Sequence, residues 1–450
     1  MCGMSWRNGV SMPNRWLPSL ALLLAAAPVA AVSPELGGIS VPAYGLVARD
    51  LKGGQLVLAE GAAEVAPDGG VARPFTADNP VRIASISKVV VALALHRLAD
   101  AGRIDLDGDV SRYLGWTLRN PAHPQAPISI RQMMRHESSL SDAGGYFFPL
   151  GERLRDHVGA KSFSAAAPGT AFDYANLNQA ILGEVIEQVT GQRFDRAVRA
   201  LVLAPLGIDA CYNWSGCSPA KVKAGAVIYR KAPSDAGPWD PQGPWIAQID
   251  GTRPPDACEV RLRDGEACDL GRYKVGSNGS LFSPQGGLRI SLADLSALGL
   301  ALLKDDGFLK PATRASLFRP VAVKAAGQGE ETDPGLMQYW SEGGLHCFSG
   351  TGAAGGDQPL SPQPLMGCGH LGEAYGLKSA LVIDPAAGTA VAWAFTGTSA
   401  PPPPGTKSRF SAPEEALAGK AAGWLKNRGA VSAGVSASPS AAVPAAPATP

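Results

Sequence analysis

Strand-forming stretches lie at the two ends of this chain, and helical stripes lie between them. Tyr44–Arg49 and Gln55–Glu60 are apolar runs around Lys52-Gly-Gly54, and Ala380–Ile383 and Thr389–Phe395 flank Asp384-Pro-Ala-Ala-Gly388. Each pair reads as a hairpin, with glycine supplying the turn. Between them, Val91, Ala94, Leu95 and Leu98 recur at helical spacing after Ser85, up to Gly102. Leu177, Ile181, Val185 and Val189 form a second stripe that stops at Gly191. A third helix is predicted over Leu292–Leu303 with Ser291 as N-cap, and an amphipathic fourth over Glu414–Lys426. Residues 208–276, rich in Pro, Gly, Trp and Cys, read as an extended loop insertion. The predicted fold class is α/β: both terminal hairpins join one antiparallel sheet flanked by helices. A mostly helical second lobe with the insertion, roughly 103–285, leaves a cleft between the two parts.

The start of the chain bears on compartment. Arg7 and Arg15 precede an apolar run from Leu17 to Ala31 with small residues at its end, the pattern of a signal peptide spanning 1–31. The run is short for a membrane span, and a retained N-terminal anchor is the alternative. The expected location is periplasmic or secreted, with no stable membrane span after cleavage. Cys2 leaves with the signal, and Cys211, Cys217, Cys258, Cys268, Cys347 and Cys368 remain. An even set in an exported protein suggests disulfides. The favoured pairing is nearest-neighbour, Cys211–Cys217, Cys258–Cys268 and Cys347–Cys368, with buried free thiols as the alternative. These spacings are not those of a zinc site, so no metal is expected. With 40 Lys+Arg against 39 Asp+Glu, the chain lacks the basic surplus of a nucleic-acid binder. Residues 429–450 carry no charge and consist of Ala, Pro, Ser, Val, Gly and Thr, so a disordered tail is expected after a domain at 32–428.

Three short patterns could carry chemistry. Ser85-Ile-Ser-Lys88 opens the strongest helix, where three residues bring the Lys88 amine beside the Ser85 hydroxyl. A serine needs such a neighbour to lose its proton, and a helix N-terminus favours a developing oxyanion. Ser218-Pro-Ala-Lys221 matches the same pattern, but it follows Cys217, contains proline and shows no amphipathic helix behind it. Tyr174-Ala-Asn176 precedes the second helix; a buried tyrosine near a lysine is a candidate base, and the Asn176 amide can hold both Lys88 and a substrate carbonyl. His370-Leu-Gly372 precedes the C-terminal hairpin, with His370 as a donor that titrates near neutral pH and Gly372 allowing close approach of substrate backbone. Lone matches to this last pattern also occur at Lys52, His157, Lys223 and Lys274.

In this order, Ser-x-x-Lys, Tyr-x-Asn and His-x-Gly resemble the serine β-lactamase and D,D-peptidase superfamily, most closely its class C-related branch. Arg82–Lys88, Ile128–Leu140, Ala204–Gly207 and Gln285–Asp294 are similar to that branch's connecting segments, so the likeness covers about 36–427. The resemblance implies a β-lactamase/transpeptidase-like fold and a serine hydrolase forming an acyl-enzyme. Ser85 would be the nucleophile, Lys88 and Tyr174 would move its proton, and Asn176, His370 and Gly372 would bind substrate. The backbone N–H groups of Ser85 and Glu373 would form the oxyanion hole. No cofactor is implied, and the partner is a small peptide, ester or β-lactam, including cell-wall peptide, bound by a monomer. The preferred activity is hydrolysis of a D-amino-acid peptide or a small ester; a class C-like β-lactamase and a non-catalytic penicillin-binding sensor are the rivals. Three departures stand out. Ser139 replaces the branch's usual glycine and is expected to affect that turn rather than catalysis. His370 replaces the lysine of class C β-lactamases, so attraction for a β-lactam carboxylate is expected to be weak and to grow towards pH ~6. Residues 208–276 and 348–365 read as elaborations of a subgroup.

Overall fold

The computed structural model describes residues 33–234, 237–253, 258–324, 336–348, 356–357, 367–398 and 402–434. The expected signal peptide and most of 348–365 lie outside the described residues, as does the tail beyond Gly434. In chain order, the N-terminal strands are β1 (Ala43–Asp50), β2 (Gln55–Val65), β3 (Val71–Pro74) and β4 (Val81–Arg82). Helices α1 (Ser87–Asp100) and α2 (Leu177–Thr190) follow, then β5 (Cys211–Tyr212), β6 (Leu288–Ile290) and α3 (Leu292–Ala301). The chain ends with β7 (Pro320–Ala322), β8 (Tyr339–Ser341), β9 (His346–Cys347), β10 (Cys368–Ala374), β11 (Leu377–Asp384), β12 (Thr389–Phe395) and α4 (Ala412–Gly434).

The two terminal hairpins do meet. β12 pairs antiparallel with β1 from Thr389↔Asp50 to Phe395↔Tyr44, joining a sheet of order β7-β8-β9-β10-β11-β12-β1-β2-β3. Period-two alternation then sends neighbouring residues to opposite faces. Val47, Leu381, Ile383 and Ala392 belong to the main core with α1, α2 and α3, while Leu46, Val382, Val391 and Trp393 pack against Leu417 and Ala421 of α4. A sheet covered on both faces needs strands that are apolar throughout, and every residue of β12 is buried. Helix α4 continues to Gly434, six residues past the boundary expected from composition.

The helix ends follow from local chemistry. Gly191 closes α2 in the left-handed conformation (φ 69°), and Ser291 caps α3 by accepting from the Asp294 N–H. All three nearest-neighbour disulfides are present, and Cys347 and Cys368 are direct cross-strand partners of β9 and β10. One expectation needs correction: Ser218 also opens a helix, Pro219–Ala224, because proline is favoured at a first helical position. Its hydroxyl accepts from the Lys221 N–H, and Lys221 Nζ pairs with Asp294 at 3.0 Å, so no serine–lysine couple forms there. None of that helix's residues is buried.

Candidate active site

A sharp turn presents Ser85. Residues Ala84–Ile86 form a single 3₁₀ turn before α1, and Ala84 takes a left-handed φ of 48°. The Ser87 hydroxyl braces the turn by donating to the Ala84 carbonyl (2.7 Å) and accepting from the Leu288 N–H of β6 (3.0 Å). Tyr212 of β5 donates to the Ser87 carbonyl at 2.8 Å. One turn further, Lys88 is 3% exposed, and its Nζ donates to Ser85 Oγ (2.8 Å), Asn176 Oδ1 (2.8 Å) and the Gln285 carbonyl (3.0 Å). The expected serine–lysine couple is therefore formed, and Asn176 joins it.

Asp142 orients Asn176. Its Oδ2 accepts from the Asn176 backbone N–H (2.9 Å) and side-chain Nδ2 (3.0 Å), and its Oδ1 accepts from the Leu177 N–H (2.8 Å). A carboxylate at the start of α2 satisfies backbone donors that have no partner inside the helix. By taking the amide NH₂, it also leaves the amide oxygen facing Lys88. Tyr174 is 8% exposed, and its ring lies between two neighbours. His136 stacks on it with centroids 4.3 Å apart, and Lys88 Nζ stands 4.9 Å from its centroid. His136 Nδ1 accepts from the Ala175 N–H at 3.1 Å, which assigns the ring proton to Nε2. Burial and the Lys88 charge hold its pKa well below the usual histidine range.

The third element lies on β10. His370 is 2% exposed, packed edge-on to Trp340 (5.5 Å) and tilted against Tyr174 (6.4 Å). Its Nδ1 lies 2.5 Å from the Leu371 carbonyl, while Nε2 has no hydrogen-bond partner among the described residues. Burial first, then the charge of Lys88 and the neighbouring His346, hold its pKa well below the usual value. The expectation that His370 gains charge near pH 6 is thus overturned: burial disfavours the cation. Gly372 serves the fold as well as any substrate. A Cβ there would meet the Ile83 carbonyl at 2.3 Å and Ser379 Oγ at 2.4 Å, so only glycine lets β10 press against the turn that carries Ser85. Ser139 adopts φ 66°, a conformation that favours glycine, at the position where the branch usually has one.

Ser85, Tyr174, His370, Gly372 and Glu373 line one cleft of about 560 Å³. The Glu373 side chain accepts from Lys378 Nζ (2.7 Å), which lines the same cleft. Reading the sequence missed Asp142, His136, Trp340 and the Gln285 carbonyl. Each acts across a long separation; His136 and Gln285 lie in segments that resemble the branch, Ile128–Leu140 and Gln285–Asp294, but the resemblance gives them no role. Among the described residues no group of His, Cys, Asp and Glu could hold a metal ion, and no helix is long and apolar enough to cross a membrane.

Comparison with known proteins bears on the family and the fold. A family model described as Beta-lactamase matches residues 41–413. The chain is 30% identical over 306 residues to Esterase EstB of Burkholderia gladioli, covering 63% of this chain and 70% of that protein. It is 26% identical over 212 residues to the D-alanyl-D-alanine-carboxypeptidase/endopeptidase AmpH of Escherichia coli, covering 43% of this chain and 54% of AmpH. D-amino acid amidase from Ochrobactrum anthropi shares the fold, with TM-score 0.55 and 19% identity over 88% of this chain and 95% of that one.

Proposed function

The chain belongs to the Beta-lactamase family as a serine hydrolase, and we propose that it works through an acyl-enzyme on Ser85. The observation that carries this reading is Lys88 Nζ, 2.8 Å from both Ser85 Oγ and Asn176 Oδ1. Ser85 Oγ attacks an ester or amide carbonyl, and its proton passes to Tyr174, or to Lys88 once Lys88 is itself neutral. The oxyanion is held by the N–H groups of Ser85 and Glu373. As the tetrahedral intermediate collapses, the bond to the leaving group breaks and that group takes the proton. Water then attacks the acyl-enzyme by the same route and restores the Ser85 hydroxyl. Asn176 and His370 position the substrate, His370 as a neutral ring.

The substrate class we favour is a small ester or a D-amino-acid peptide, drawn from the esterase, carboxypeptidase and amidase relatives. Slow turnover of β-lactams fits better than a dedicated β-lactamase, because neutral His370 offers no charge where the family's lysine would attract the β-lactam carboxylate. Export is part of the proposal, supported by three disulfides. The test is to treat purified protein with a fluorescent penicillin, a panel of esters and D-peptides, and to follow products and intact mass. Ester or D-peptide turnover well above cephalosporin turnover is expected. Efficient cephalosporin hydrolysis would favour the β-lactamase reading instead.

A further inference from the structure

A second cleft, of about 500 Å³, shares no lining residue with the one that holds Ser85, Tyr174 and His370. Gln285, whose carbonyl holds Lys88, lines it, and so does Arg82, three residues before Ser85. Arg82 is 9% exposed and lies on β4, paired with Arg289 of β6. Among the described residues it has no hydrogen bond or ion pair, and its Nε is a buried donor with no partner. The contact it does make is with the Tyr375 ring, 4.7 Å from the guanidinium carbon.

A buried guanidinium is normally paired, since removing a charge from water without a counter-ion is costly. The Asp250 carboxylate, which also lines this cleft, is already committed. Asp250 accepts from Arg289 Nη2 (2.9 Å) and Nε (3.2 Å) and from Trp214 Nε1 (2.8 Å). Glu259 and Arg261 also line the cleft, and Arg261 donates to the Phe147 carbonyl at 3.3 Å. Burial first and then the like charge of Arg289 oppose the Arg82 charge, while Tyr375, Asp250 and Tyr146 favour it in part; the net shift is downward, so an anion in the cleft would relieve it. Tyr375 is placed deliberately. It and Gly376 form the β10–β11 turn with φ of 57° and 87°, a conformation that favours Asn or Gly at both positions, yet an aromatic occupies the first.

We propose that the Arg82 cleft is an acyl-side subsite for a carboxylate, so that the substrates include esters or amides whose acyl part carries a second, negatively charged carboxyl group. The acyl side is assigned because Tyr174, which would return the proton to the leaving group, lines the other cleft. Three residues span at most about 10 Å between Arg82 and Ser85, a distance that a four-carbon diacid spacer plus the arginine side chain can bridge. This inference rests on the serine hydrolase reading, and its failure is separable from a failure of that reading.

The experiment compares the half-ester 4-nitrophenyl hydrogen adipate with the neutral 4-nitrophenyl hexanoate, after subtracting background hydrolysis. The unmodified protein is expected to favour the anionic ester in kcat/KM by about tenfold or more, as a charge-assisted bidentate contact would give. In Arg82→Gln that ratio should collapse towards one, chiefly through KM, while Arg82→Lys should retain part of it. If Arg82→Gln does not fold, the unmodified protein and Arg82→Lys still decide. An anionic-to-neutral ratio of one or less in the unmodified protein overturns the subsite while leaving the hydrolase intact. A preference that Arg82→Lys and Arg82→Gln both leave whole overturns it too. Hydrolysis of neither ester above the level of Ser85→Ala would instead sink the hydrolase reading.

Discussion

Asp142 stands 34 residues before Asn176, and nothing in its surroundings marks it, yet it fixes the amide that faces Lys88. In Asp142→Asn, one of the two carboxylate oxygens becomes an NH₂ group facing a donor. Either the Leu177 N–H or the Asn176 pair then loses its acceptor. A buried donor left unsatisfied costs about 1–3 kcal/mol, so melting should fall by a few degrees. The catalytic effect should be larger. The remaining contact is best kept if the Asn176 amide turns over, which points its NH₂ at Lys88 Nζ. Losing one hydrogen bond to a charged donor, worth about 1.5–3 kcal/mol, corresponds to roughly ten- to a hundredfold in acylation rate. The assay is the pre-steady-state burst of 4-nitrophenolate from an activated ester, normalised to active-site titre so that misfolded protein does not count. A lower melting temperature with an unchanged burst rate per active site would show that Asp142 only supports the helix, and would refute this reasoning.

Three further outcomes are expected. Because burial and Lys88 keep His370 uncharged, rates between pH 6 and 8 should contain no limb that belongs to it; a limb with apparent pKa near 6.5 that vanishes in His370→Asn would contradict this. Lys88→Ala and Tyr174→Phe should each slow acylation by about 10² or more in stopped-flow measurements, and near-normal rates in both would place the base elsewhere. Replacing Cys347 and Cys368 together by serine should cost on the order of 2–4 kcal/mol, read by chemical denaturation. An unchanged midpoint would mean that the β9–β10 register does not depend on the bridge.

What could be read from the residues alone was local. Ser85 and Lys88 share one helical turn, and each hairpin carries its own turn glycine. Each disulfide closes a short loop, so nearest-neighbour pairing succeeded. Joining β12 to β1 required only the inference that two half-covered hairpins share a sheet. What stayed hidden depends on distance or on burial. Gln285 reaches Lys88 across 197 residues, and Trp340 reaches His370 only once β8 lies in the sheet. The short helix after Ser218 was hidden because it has no apolar stripe to betray it, although a first-turn proline is favoured at a helix start. The charge state of His370 was misjudged because desolvation cannot be seen in a tripeptide pattern.

The central claim is that one covalent intermediate forms, at Ser85. Intact mass after brief exposure to a fluorescent penicillin or an activated ester should show a single acyl adduct, and peptide mapping should place it on Ser85. Ser85→Ala should show no adduct, and Ser218→Ala should label like the unmodified protein. An adduct that survives Ser85→Ala, or ester turnover that persists in it, would contradict the account.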